Sequence, residues 1–232
     1  TLTAPGSSIT LGDGSNDFGT VTIGGTTTTS VTLADTNGLN LGGLDITGDL
    51  DVDAGGALAD GGNTIAVDGT GSFATTGNGS NITLTGLDVG GVVDVNTAAT
   101  SNATLTNVGG VEFSASATST VNGDLTVTAG GDITDASGAT LVVTGLSDLT
   151  ATGSNIVLGD NTDTTNFGSL NVAGTTVTIT EDSSTELADV DATTLTLVSG
   201  GAITQTGGLS VSGVATLTAP GSSITLGDGS ND

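Results

Sequence analysis

The chain has 232 residues, 25 of them acidic, and neither Lys, Arg nor His, which fixes a formal charge of −25. With no side-chain cation, salt bridges between side chains are excluded, and the acids must face water, accept hydrogen bonds or hold external cations. Cys is absent too, which removes disulfides, thiolate metal sites, and Ser-His and Cys-His catalysis.

So large a charge of one sign is ordinarily the mark of a disordered chain. The apolar pattern argues otherwise. Hydrophobic residues make up 34% of the chain and are mostly Val, Ile, Leu and Ala at regular intervals. Thr is the commonest residue and Gly contributes 40. The first suits strands and the second suits tight turns. No apolar run approaches the roughly 20 residues of a membrane span, so membrane insertion is not expected. A signal peptide needs a basic n-region, so any export signal is expected outside this segment.

Residues 1–17 read TLTAPGSSITLGDGSND, and residues 216–232 read the same. This predicts one full repeat over 1–215 and the start of the next over 216–232, within a longer chain of near-copies. Weaker markers recur inside the unit. GSSITLGD starts at Gly6, GSNITLTG at Gly79, GSNIVLGD at Gly153 and GSSITLGD again at Gly221. LDVDAGG starts at Leu50, LTVTAGG at Leu125 and LTLVSGG at Leu195. The unit is therefore read as three modules of about 72 residues, and residues 1–232 as one continuous repeat array.

Short runs with apolar residues at i and i+2 predict strands starting near Leu125, Ile133, Leu141, Leu149, Ile156, Leu170, Val177, Leu187 and Leu195. Gly, Asn, Asp and Ser fill the intervals as turns require, and no helical period appears. Strands this short are stable only if they coil. The expected fold is all-β, a parallel β-helix (β-solenoid) with about three strands per rung and about nine to ten rungs. Crossover chirality favours the right hand. Gly is expected at corners for its tolerance of positive φ. Phe18 and Phe167, each followed by Gly, are expected to plug the core at equivalent turns. Tandem β-sandwiches are the competing fold, but they leave the continuing register unexplained.

The runs at residues 123–145 (GDLTVTAGGDITDASGATLVVTG), 149–160 (LTATGSNIVLGD) and 42–56 (GGLDITGDLDVDAGG) resemble repeats of filamentous-haemagglutinin-type exoproteins. The resemblance spans nearly the whole chain. It implies a large bacterial surface adhesin exported by two-partner secretion and built as a right-handed parallel β-helix. The total lack of Lys and Arg departs from typical members.

The chemistry left to the chain is narrow. No catalytic and no cofactor-binding residue is singled out, and no enzyme is expected. Paired carboxylates hydrolyse glycosides, but without Trp or Tyr there is no sugar-stacking platform. Oxygen-rich turns at residues 12–17 and at Asp160, Asn161 and Asp163 suit Ca2+ in principle. The simpler reading is a solvated turn in which Asp and Asn accept local backbone bonds. No cofactor is expected beyond cations weakly held at the acidic surface, Ca2+ among them.

Thr20-Val21-Thr22, Thr126-Val127-Thr128 and Thr176-Val177-Thr178 would suit an ice-binding face only if Thr recurred on consecutive rungs, and these runs are far apart. The sequons at Asn78, Asn81 and Asn102 are read as coincidental. Nucleic acid is excluded as a partner by charge. The expected function is a structural fibre at the bacterial cell surface or beyond it, either an adhesin shaft or a filament or sheath subunit. Its expected partners are neighbouring repeats, end to end or side by side, and cell-surface glycans. The alternative is a carbohydrate- or calcium-binding repeat module.

Overall fold

The computed structural model describes every residue except Thr26, Asn161, Asp228 and Asp232. Among the described residues there is no helix, and 23 strands join in one parallel β-solenoid of about 10 turns. Alternation sets the inside and the outside. Leu50–Ala54 is buried at Leu50, Val52 and Ala54 and exposed at Asp51 and Asp53.

One ladder shows how the coils stack. Thr20, Asn40, Ala59, Thr83, Thr104, Thr126, Asp148, Asn171 and Asp189 hold the same outward position, each paired in parallel with the next. Beside them Leu84, Leu105, Val127, Leu149, Val172, Val190 and Leu209 point inward in an unbroken aliphatic column. Each such side chain contributes about 1.5–3 kcal/mol on burial. Phe73, Phe113 and Phe167 lie in the same core, and Phe18 packs against it partly buried.

All nine expected strand starts fall within strands, but three pairs of them share one strand. Thr140–Ala151, Thr164–Glu181 and Thr185–Ser199 each run around a corner without leaving the ladder. A local register shift, such as the one between Val143 and Leu146, makes the bend where a separate turn was expected.

Some turn glycines, Gly43 and Gly153 among them, have the positive φ expected, but others answer a different need. Gly48, Gly69 and Gly91 stack directly. The Gly69 N–H donates to Gly48 O at 3.0 Å and the Gly91 N–H to Gly69 O at 3.2 Å. None of the three has positive φ. A Cβ on Gly69 would lie 2.7 Å from Gly48 O, and one on Gly91 would lie 2.5 Å from Gly69 O. Close approach of successive coils, not backbone freedom, requires glycine here.

The recurring marker also moves around the axis. Ile9 pairs with Val31 on a first face. Ile82 pairs with Leu58 and Ala103 on a second, and Ile156 with Ile133 and Val177 on a third. A module of about 72 residues is three and a third coils of about 22, so each copy advances by one face. Three modules close the cycle. Ile224 stacks on Ile203, which pairs with Thr185, back in line with the first face. A surface pattern therefore returns to the same side only once per full repeat, the interval from Thr1 to Thr216.

Candidate cation site and the buried acid network

Carboxylates buried without cations need donors from elsewhere, and here backbone amides supply many of them. The Asp60 carboxylate accepts the N–H groups of Thr85 at 2.6 Å and Gly86 at 2.7 Å from the next coil, and of Gly62 at 2.9 Å from its own turn. Asp35 accepts Phe18 N–H at 2.5 Å and Asn37 N–H at 2.9 Å. Charge-assisted bonds of this kind are about twice as strong as neutral ones.

Exposed corners use a longer version of the same device. Asn81 Oδ1 accepts the Asn102 N–H, Asn102 Oδ1 the Asp124 N–H, and Asp124 Oδ1 the Leu146 N–H, each at 2.9 Å. Two of the three sequon asparagines are thus rungs of a side-chain ladder.

The two oxygen-rich turns separate in the structure. In residues 12–17, Asp13 accepts its own turn's Ser15 N–H at 2.9 Å and Ser15 hydroxyl at 2.7 Å. Asp17 accepts from Asn37 Nδ2 at 2.7 Å. These oxygens serve local and inter-coil bonds, as the solvated-turn reading expected. The second turn gathers. Asp160 and Asp163 meet Asp135 from the preceding coil, with carboxylate oxygens within 4.8 Å of one another. Asn161, named with them in the sequence, lies outside the described residues.

Asp135 was missed because it precedes Asp160 by a full coil. The signal was the coil step: Ile133 pairs with Ile156, which sets Asp135 opposite Leu158, two residues before Asp160. Asp135 Oδ2 accepts the Gly159 N–H at 2.8 Å, and Asp163 Oδ1 accepts the Gly138 N–H. The other oxygens, Asp135 Oδ1 and Asp163 Oδ2, are buried with no hydrogen-bond partner. Burial pushes Asp135 up to about 6; the Gly159 N–H opposes this, and the charges of Asp163 and Asp160 add to it. Three clustered carboxylates suit a hard divalent cation, which takes oxygen ligands and relieves their repulsion.

Elsewhere burial is the first cause of raised carboxyls at Asp51, Asp94, Asp148 and Glu181. A corner groove lined by Asp88, Glu112 and Asp132 among paired glycines has no aromatic wall.

Fold and site together define a parallel β-solenoid repeat protein in which backbone amides hold the buried carboxylates of Asp35 and Asp60. The chain belongs to a family described as repeats of unknown function (DUF5649), whose model matches residues 28–96, 100–171 and 173–232. Each matched stretch begins one module after the last, in step with the spacing of the internal markers. No curated protein and no solved structure matches the chain.

Proposed function

We propose that this chain is a length of structural fibre outside the cell, the repetitive shaft of a giant bacterial surface adhesin or part of an extracellular filament or sheath. The observation that carries this reading is the uninterrupted parallel stack, in which each coil is the template for the next and added repeats add only length. The runs at residues 123–145, 149–160 and 42–56 support it through their resemblance to filamentous-haemagglutinin-type repeats. Absence of Lys and Arg supports it too, since trypsin-like proteases find no cleavage site in an exposed fibre. The reading is non-catalytic and needs no cofactor.

Electron microscopy of native material tests it. A thin shaft with a rise of about 4.8 Å per coil, and about 48 Å per full repeat, is the expected image. Compact particles without that axial spacing would overturn the fibre.

A second reading, a calcium-binding repeat module, is favoured by the two partnerless oxygens of Asp135 and Asp163. It expects Ca2+ to raise the melting temperature saturably and Asp163→Asn to abolish the rise. An unchanged melt after adding EDTA and then Ca2+ removes this reading and leaves the fibre standing.

A further inference from the structure

The coil register assembles a surface that the sequence scatters. On the third face Thr176, Thr178 and Thr180 form one outward row, and Thr194, Thr196 and Val198 lie directly above them. Thr216 and Thr218 continue two of the columns onto a third coil. The runs at Thr20, Thr126 and Thr176 do stay apart, the first two five coils apart in one column and the third on another face. Residues 176–180 nevertheless align with other runs that were not expected to pair with them. A step of one coil brings differently spelled runs into one column. Val214, 67% exposed, stands beside Thr216 and N-terminal to it. On the coil beneath, Val157 pairs with Thr178.

Two properties distinguish this face. None of the 25 acidic residues stands among these outward positions, although the chain is −25 overall. Its threonines at 176, 178, 194, 196, 216 and 218 each carry a hydroxyl, which both donates and accepts a hydrogen bond. A carboxylate only accepts, so acid-bearing faces of two copies repel and offer each other no donors.

We propose that a second copy of this chain packs alongside through this face, threonine to threonine with Val214 and Val198 at the contact. Charge selects the occupant. A partner bearing the same −25 is tolerated only where neither surface is ionised. A glycan would need aromatic stacking, and three of the four Phe are in the core with the fourth partly buried against it. The face recurs on the same side once per full repeat, so weak contacts add along two parallel or antiparallel shafts. The proposal rests on the fibre reading and names its lateral partner.

The test is sedimentation equilibrium and small-angle scattering on residues 1–232 at low salt and at about 1 M salt, where the Debye length is about 3 Å. The expected result is a salt-promoted dimer of unchanged length and doubled cross-section. Thr196→Asp should weaken it at least about tenfold, or about 1.4 kcal/mol, and Thr196→Ser should keep it. Asp already stands outward on strands at Asp51 and Asp148, so the Asp variant should fold, and its melt checks this. A monomer at every salt, or a dimer indifferent to Thr196→Asp, overturns the proposal. An end-to-end dimer of doubled length overturns it while leaving the fibre reading intact. Adsorption of the monomer to ice or to an insoluble polysaccharide, lost with Thr196→Asp, would give the face to that ligand and overturn it as well.

Discussion

The carboxylate of Glu181, 1% exposed, accepts the backbone N–H of Phe167 at 3.1 Å. Its oxygens also take the hydroxyls of Ser183 and Thr185. Asp35 makes the matching bond to the N–H of Phe18 in the related turn. An acid thus holds the backbone at each of these two Phe residues, and the Glu181 carboxylate is met by an amide and two hydroxyls rather than by a cation. Glu181→Ala leaves a buried amide and two hydroxyls short of an acceptor, and should cost about 2–3 kcal/mol. In a repeat stack the loss is local as well as global. Hydrogen exchange at the Phe167 amide should accelerate about a hundredfold, while Glu181→Gln, which keeps an acceptor, should show far less.

Stability should fall as pH rises from about 4 to about 6. Asp51, Asp94, Asp135, Asp148 and Glu181 are all raised, with burial the first cause in each. A raised acid binds its proton more tightly folded than unfolded, so the folded state is favoured while these groups stay protonated and loses that advantage through their folded values. Asp135, up to about 6, sets the upper edge of the window. At its half-buried site the linkage amounts to about 1 kcal/mol after screening. Exposed Asp13, lowered by Ser15, opposes the trend. Denaturation at pH 4.5 and pH 7 checks the sign, and Asp94→Asn should flatten the slope. Greater stability at pH 7 would contradict the assignment.

Gly69→Ala should destabilise by about 1–3 kcal/mol, because its Cβ would meet Gly48 O at 2.7 Å and Asp49 Oδ1 at 2.3 Å. Gly14→Ala, with nothing within 4 Å, should stay within about 0.5 kcal/mol. Thermal melts of the two variants, compared directly, test whether close approach governs the corners. Equal effects would mean that close approach of successive coils does not govern this corner.

The strands were legible because Leu-Thr-Val and Val-Thr-Ile fix inside and outside by themselves; Leu125, Val127 and Ala129 are all buried as the alternation required. Whatever depends on which coil lies over which was not legible, because coil length drifts. The step from Thr20 to its partner Asn40 is shorter than the step from Ala59 to Thr83, and the step from Asn171 to Asp189 is shorter than either. That drift hid Asp135 from Asp160, and Thr178 from Thr196 and Thr216. The buried Asn107 shows the same limit. Its amide bonds both the N–H and the carbonyl of Val89, standing in for a strand residue where the coil is irregular. Its sequence context, Leu-Thr-Asn, reads as the end of an ordinary strand.

The rotation of the markers can be tested by removing one module. Deleting residues 82–155 puts Ile156 where Ile82 stood, with the same GSNI run rejoined in front of it. The shortened chain should remain one solenoid, about 16 Å shorter, because three and a third coils are gone. Everything beyond the junction should turn by one face, carrying Thr178 from the third face to the second. Position 157 should then pair with Ala59, the partner of Thr83 in the parent. Parallel neighbours fall within disulfide reach, so Ala59→Cys with Val157→Cys should cross-link in the shortened chain and not in the parent. Cross-linking in the parent, or a shortened chain that fails to fold while single-coil variants survive, would mean that the modules do not share a path around the axis.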